Sequence, residues 1–205
     1  NTITIEGVSK LRAGTYAMIP DRIETGMFAI LAAATRSDIT ITQCNPEHIE
    51  SLLNISNIMG VPYASASGTL TIYASQARAY QSPKKIITHE YPGFATDLQP
   101  PLTVLLTQAE GLTLVHETIF EGRLFYTDLL NRMGASITLC DPHRALVQGP
   151  TELRGKKIES PDIRAGIAMV IAGLIAQGET VIDNIYQIER GHERIEERLK
   201  ALGAK

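Results

Sequence analysis

The sequence predicts an α/β fold in which three similar units, each with strands, one buried helix and one exposed helix, are arranged with approximate threefold symmetry. Three observations carry that expectation. A degenerate unit of roughly seventy residues runs three times along the chain, and self-similarity at such a period reports repeated supersecondary units. In the third unit one helix is apolar on nearly every face, through Ile163, Ile167, Met169, Val170, Ile171, Leu174 and Ile175, and a helix apolar all round is buried all round. A second helix carries a single stripe, Ile195, Leu199 and Leu202, among Glu193, Arg194, Glu196, Glu197, Arg198 and Lys200, which is a surface pattern.

The elements follow in the same order in each unit. The chain opens on Asn1 to Glu6, whose alternation of polar and apolar residues predicts a strand. Asp-centred turns then start the units: Pro20-Asp21-Arg22, Thr96-Asp97-Leu98-Gln99 and Ser160-Pro161-Asp162. Thr96 and Gln99 have capping-box spacing, and Ser160 can cap a helix with Pro161 at its first position. Pro100 and Pro101 fit only near a first turn, which sets the second start close to Asp97. The buried helices carry Ile30 to Ala34, Val104 to Ala109 and Ala172 to Ala176; strands follow at Ile39 to Ile41, Leu112 to Val115 and Thr180 to Ile182. The exposed helices close at Met59-Gly60, Met133-Gly134 and Leu202-Gly203. Further alternating runs, Leu70 to Tyr73, Lys85 to Thr88, Ser136 to Leu139 and Ala145 to Val147, supply more strands. With no long linker or low-complexity tract, the expectation is one domain, its repeats spanning roughly 15–80, 81–155 and 156–205.

Composition narrows the function. A chain of 205 residues, 44% of them hydrophobic, can bury a substantial core. Its 19 Lys+Arg against 22 Asp+Glu leave a formal charge of -3, which gives no bulk attraction for nucleic acid or for an anionic membrane. The apolar stretch from Ala165 to Ala176 is too short to span a bilayer, and the opening residues lack the pattern of a signal peptide, so a cytoplasmic protein is expected. Cys44 and Cys140 lack the close spacings of a zinc site or a disulfide framework and read as reduced, structural thiols. The five histidines, His48, His89, His116, His143 and His192, show no metal-ligand spacing, and there is no Gly-rich phosphate loop, so neither a metal, an ATPase nor a dehydrogenase is expected.

Asp21, Asp97 and Asp162 each sit at a helix start, where a carboxylate is favoured by the exposed N–H groups, so capping is the plain reading of any one of them. Asp97 differs in lying inside the turn Tyr91-Pro92-Gly93-Phe94-Ala95-Thr96-Asp97, which can hold a general base rigidly at a cleft edge. Phe120-Glu121-Gly122-Arg123 and Glu189-Arg190-Gly191-His192 put arginine near glycine, a pairing suited to gripping phosphate or carboxylate and equally to surface ion pairs.

Five motifs in register, Pro20 to Gly26, Tyr91 to Gln99, Ile119 to Arg123, Asp162 to Ala165 and Arg190 to Arg194, resemble the C-terminal part of the UDP-N-acetylglucosamine 1-carboxyvinyltransferase family. The resemblance covers essentially the whole chain and about half of a family member. It implies two similar domains of three βαβαββ units each, helices inside and sheets outside, with substrates bound in the cleft between them. The implied reaction is attack of the sugar 3-hydroxyl of UDP-N-acetylglucosamine on C2 of phosphoenolpyruvate, with release of phosphate and no cofactor, at the first committed step of peptidoglycan synthesis. Asp97 then resembles the aspartate that removes the hydroxyl proton, and Arg190 an arginine that engages phosphoenolpyruvate as the cleft closes. Ile119 matches a UDP-sugar contact, beside Phe120; Glu121, Arg123, Asp162 and Arg164 match charged cleft residues, which could equally brace the closed form.

The same resemblance implies that the family's N-terminal domain, with its lysine-asparagine pair and cysteine loop, is the missing partner, so the chain alone is expected to be inactive. The cleft wall left bare could drive self-association. Ala95 stands where the family usually has proline, Gly122 where it often has asparagine, and His192 where tyrosine is common. Competing expectations are a domain like 5-enolpyruvylshikimate-3-phosphate synthase, which shares fold and donor, and a non-catalytic relative that binds UDP-sugar or a protein.

Overall fold

Three apolar helices pack together, and two of them are started by an aspartate. In the computed structural model, which describes residues 2–204, Asp21 accepts hydrogen bonds from the Ile23 and Glu24 amides at 2.8 and 3.2 Å and opens α1 (Arg22–Ala34). It thereby satisfies amides that have no partner inside the first turn. Helix α1 buries every residue from Thr25 to Ala34. It leads to β1 (Asp38–Thr42), the surface helix α2 (Glu50–Met59), then β2 (Tyr63–Ala66) and β3 (Thr69–Tyr73), which form an antiparallel sheet in the order β1-β3-β2.

The second sheet contains β4 (Tyr80–Gln81), β5 (Lys85–Ile87), β6 (Ala109–His116), β7 (Ser136–Asp141) and β8 (Arg144–Gly149). Its order is β4-β6-β8-β7, with β5 also pairing β6; β4 and β5 run parallel to β6, and the other pairs are antiparallel. Between β5 and β6 the chain crosses over through α3 (Gln99–Leu106), all eight residues of which are buried. Leu102, Val104 and Leu106 are at most 1% exposed, and burying each such side chain contributes about 1.5–3 kcal/mol. After β6 come the short surface helix α4 (Thr127–Arg132) and the β7-β8 hairpin. A parallel crossover follows, β9 (Lys157–Glu159), α5 (Ile163–Ile175) and β10 (Val181–Asp183), and then α6 (Tyr186–Glu189) and α7 (Ile195–Ala201).

Helix α3 lies against both α1 and α5, and the buried apolar residues form one continuous cluster. The three helices begin at one end of the molecule. Arg164, in the first turn of α5, pairs with Asp97 just ahead of α3, and Gly26, the fifth residue of α1, lies against Leu98. That common end is where backbone N–H groups and positive dipole ends gather. Among the described residues, no helix is long and apolar enough to cross a membrane.

Several expectations change. Residues 2–20 are exposed and unpaired: Ile3 and Ile5 are 88% and 84% exposed, so the strand expected over the opening residues is absent, Asn1 lying outside the described residues. Alternation prepares one face for burial, but a strand forms only where an edge accepts its hydrogen bonds. The capping box expected of Thr96 and Gln99 does not form. Residues Thr96–Leu98 make a 3-10 turn without a side-chain cap, and the Thr96 hydroxyl donates instead to Glu117. Nor does Ser160 cap α5: Asp162 does, accepting from the Arg164 and Ala165 amides at 2.7 and 2.9 Å, while Ser160 donates to the Asp162 carbonyl. Helix α3 stops at Leu106, and Ala109 already belongs to β6. Val170, Leu174 and Ile175 are only partly buried, and Leu202 is 55% exposed.

Candidate functional site

Two proline residues at the start of α3 decide what Asp97 does. Pro100 and Pro101 are the second and third residues of the helix, and of the two amides that Asp97 would reach as a cap, Gln99 N donates to the Thr96 carbonyl and Pro100 has no N–H. The carboxylate instead accepts a hydrogen bond from Arg123 at 2.9 Å through Oδ1 and forms an ion pair with Arg164 at 3.0 Å through Oδ2. Their side chains are 27%, 21% and 26% exposed in the order Asp97, Arg123, Arg164, so the trio is half sunk yet open to a ligand. The Arg123 contact is charge-assisted and directional and the Arg164 contact adds a second positive charge, which suits a fixed carboxylate beside an anion-binding pair.

Arg123 is held from several sides. Its Nη1 also donates to the Thr96 hydroxyl at 2.7 Å, and its guanidinium lies 4.3 Å from the centre of the Phe120 ring. Gly122 ahead of it has φ +73°, a left-handed conformation that glycine adopts freely and asparagine more readily than other residues. Glycine here and asparagine in the resembled family therefore meet one backbone demand. A cavity of about 390 Å³ opens beside this group, lined by Gly122, Arg123, Tyr126, Ser160, Asp162 and Asn184. Asp162 faces it with its carboxylate committed to the cap of α5.

The structure thus brings Asp97, Arg123 and Arg164 into direct contact, sets Asp162 at the adjoining cavity, and leaves Ile119 partly buried beside exposed Phe120. Glu121 is exposed and makes no hydrogen bond or ion pair among the described residues. Arg190 is exposed as well, its guanidinium donating, among the described residues, only to the Gln187 side-chain oxygen at 3.2 Å. Cys44 is buried and Cys140 exposed, both as free thiols.

Two further residues matter that sequence reasoning missed or set aside. Glu117 is fully buried at the end of β6 and accepts four hydrogen bonds, from the Thr88 and Thr96 hydroxyls and the Ile119 and Phe120 amides. The signal was available: Thr113 and Val115 point inward along β6, and the two-residue period puts Glu117 on the same face. His192 is 2% exposed, with neither ring nitrogen hydrogen-bonded among the described residues. Burial first, and then the Arg164 guanidinium, hold its imidazole below the ordinary histidine range, with Arg198 acting in the same sense and Glu24 and Asp21 opposing.

Linkage gives the sign of the consequence. The folded protein resists protonating His192, so as pH falls below the ordinary value of 6.5 the unfolded chain takes the proton first and stability declines until the folded group also titrates. Replacing His192 with tyrosine removes that group. Urea midpoints compared at about pH 7.5 and pH 5.5 should then differ less than in the parent, and an unchanged difference would remove His192 as the cause.

Ala95 has φ -66°, follows a residue in extended pairing, and its amide makes no backbone hydrogen bond among the described residues. Proline fits that backbone without strain. Ala95→Pro is expected to raise stability by about 0.4–1 kcal/mol through the unfolded chain, a shift in the thermal midpoint of roughly 1–4 °C. A lowered midpoint would mean that the turn uses the amide.

Residues 1–199 match the family described as EPSP synthase (3-phosphoshikimate 1-carboxyvinyltransferase). The chain is 45% identical, over its whole length, to a UDP-N-acetylglucosamine 1-carboxyvinyltransferase of Treponema denticola, covering 49% of that relative. It is 42% identical to the same enzyme of Thermobifida fusca, over 98% of this chain and 46% of the relative. The chain therefore spans about half the length of the curated relatives it matches. Among solved structures it is similar to the enolpyruvyl transferase NikO from Streptomyces tendae, with TM-score 0.83 and 25% identity over 92% of this chain and 44% of that one. An EPSP synthase from Acinetobacter baumannii shares the fold at TM-score 0.61 and 20% identity, over 82% of this chain and 42% of that one.

Proposed function

The chain belongs to the EPSP synthase (3-phosphoshikimate 1-carboxyvinyltransferase) family, and from that premise we propose that it is one half of an enolpyruvyl transferase acting on phosphoenolpyruvate and UDP-N-acetylglucosamine. The observation that carries the proposal is the Asp97 carboxylate held between Arg123 and Arg164, where the three inner helices begin. A transfer of this kind asks the protein for two things: a base that accepts the proton of the attacking hydroxyl, and positive groups for an anionic donor whose phosphate leaves. Asp97 supplies the first. The two arginines supply the second, and the helix starts add to their field.

In this reading the 3-hydroxyl of the sugar attacks C2 of phosphoenolpyruvate as Asp97 takes its proton. Ile119 and Phe120 line the sugar side, Arg123 and Arg164 orient the charged groups, and exposed Arg190 turns inward to grip the donor when the cleft closes. Glu121 and Asp162 bound the same cleft. The identity of 41–45% over nearly the whole chain to UDP-N-acetylglucosamine 1-carboxyvinyltransferases supports the UDP-sugar as acceptor. The proposal includes three repeat units in one domain, a role in peptidoglycan synthesis in the cytoplasm, and a second domain of the same enzyme as the partner that closes the cleft. Without that second domain these residues are expected to be inactive.

The test is phosphate release from phosphoenolpyruvate and UDP-N-acetylglucosamine, with the chain alone and with the half of the Treponema denticola relative that it does not cover. Release only in the mixture supports the reading. Association of the halves without release defeats it, and release with shikimate 3-phosphate in place of the UDP-sugar replaces the acceptor.

A further inference from the structure

We propose that Glu117 is the positioning residue of this site, holding the Asp97–Arg123 pair in register with the Ile119–Phe120 loop; the inference rests on the reading of Asp97 as proton acceptor. Its carboxylate is fully buried, and no cation pairs with it among the described residues. It is satisfied by hydrogen bonds drawn from three separate stretches of chain. Oε1 accepts from Thr88 Oγ1 at 3.0 Å, Ile119 N at 2.8 Å and Phe120 N at 3.2 Å, and Oε2 accepts from Thr96 Oγ1 at 2.8 Å. A buried carboxylate is costly unless so partnered, and this one spends its acceptors on the two segments that carry the candidate site.

The arrangement has a direction. Because Thr96 gives its hydroxyl hydrogen to Glu117, its oxygen is turned to accept from Arg123 Nη1 at 2.7 Å, and the same Nη1 donates to Asp97 Oδ1 at 2.9 Å. Glu117 therefore fixes the hydroxyl that fixes the guanidinium that fixes the carboxylate. On its other oxygen it pins the amides of the loop bearing Ile119 and Phe120, and the Phe120 ring in turn stacks on Arg123. Thr88 is clamped in place: its hydroxyl accepts from Thr118 N at 2.9 Å and its carbonyl from the Thr118 hydroxyl at 2.6 Å.

All four partners of Glu117 are donors, which makes glutamine a sharp probe. An amide brings an NH2 that must face one of them. It is accommodated only at Thr96, whose hydroxyl would then turn its hydrogen away and accept from both the amide and Arg123. Glu117→Gln thus perturbs the relay at Thr96, and Thr96→Val removes the relay while leaving the other three bonds of Glu117. Thr96→Ser restores the hydroxyl.

The experiment uses the chain mixed with the uncovered half of the Treponema denticola relative. Loss of register by a fraction of an ångström to one ångström should lower kcat by about 10- to 100-fold in Glu117→Gln and in Thr96→Val, with KM for phosphoenolpyruvate changed less than about threefold. Thr96→Ser should return kcat to within about threefold of the parent, and the double variant should be scarcely worse than either single one, since both cut one relay. Parent-like kcat in Thr96→Val, or additive losses in the double variant, overturns the inference. Should Glu117→Gln fail to fold, Thr96→Val and Thr96→Ser decide it. Should the parent mixture release no phosphate, the functional reading falls separately, and solution spectra of the chain decide the positioning claim. The Arg123 side-chain N–H signal must shift in Thr96→Val while the Ile119 and Phe120 amides stay protected from exchange, and an unmoved Arg123 signal overturns it.

Discussion

Asp97→Asn is expected to lower phosphate release by the reconstituted enzyme by about 10²- to 10⁴-fold, the range that a positioned general base contributes. The substitution keeps shape and most hydrogen bonding but removes the oxygen that can take a proton. It also leaves the guanidiniums of Arg123 and Arg164 facing a neutral group, although both contact Asp97 within 3.0 Å in the parent. Because the three side chains are about a quarter exposed, water screens that change, and the loss of stability should stay near ~1 kcal/mol or below. Activity and stability therefore separate: the thermal midpoint should move by no more than about 4 °C while turnover collapses. A variant that keeps activity within tenfold of the parent would show that Asp97 is only a partner for the arginines.

The contrast among Asp21, Asp97 and Asp162 measures what the amino-acid sequence could convey. All three open a helix of the same apolar character, and in sequence each reads as a cap. Two of them cap. The third does not, because of the two amides it would reach, Gln99 N donates to the Thr96 carbonyl and Pro100 has no N–H, and its real partners lie 26 and 67 positions away at Arg123 and Arg164. Local rules reach the first turn of a helix and go no further. The inner helices were legible because their burial follows from composition at every face, as in the wholly buried α3.

The short strands β2, β4 and β9 were not legible, since two to four residues hold too little pattern to register. The opposite failure occurs at the start of the chain, where Ile3 and Ile5 alternate correctly and find no edge among the described residues. Glu117 shows an intermediate case. Strand parity alone points it inward, whereas its meaning depends on Thr88 and Thr96, which only the fold brings to it. The departures at Ala95 and Gly122 become intelligible in the same way, through a φ of -66° that proline shares and a φ of +73° that asparagine shares.

A large effect on stability is expected far from the site, at Gly149→Ala. An added methyl at this position would run into the carbonyl oxygen of Ala109 and stand 2.8 Å from that of Leu106 and 2.9 Å from that of Thr107. All three obstacles are backbone, so no rotamer change relieves them. They form the turn that ends α3 and begins β6, the same turn on which Thr151 N closes a hydrogen bond to the Thr107 carbonyl at 2.8 Å. Relief requires β8 to pull away from that turn, in a sheet where β6 and β8 are paired from Gly111–Gly149 through His116–Arg144. Overpacking usually costs about 1–3 kcal/mol, and a purely backbone obstruction should reach or exceed ~3 kcal/mol. For a chain of this size that lowers the thermal midpoint by about 6–12 °C. Gly7→Ala, which would meet nothing within 4 Å, serves as the reference and should stay within ~0.5 kcal/mol of the parent. Since α3 also carries Asp97 at its opposite end, any folded fraction of Gly149→Ala should lose turnover as well. Full turnover in that fraction would mean that the inner helix can shift at its far end without disturbing the carboxylate it presents.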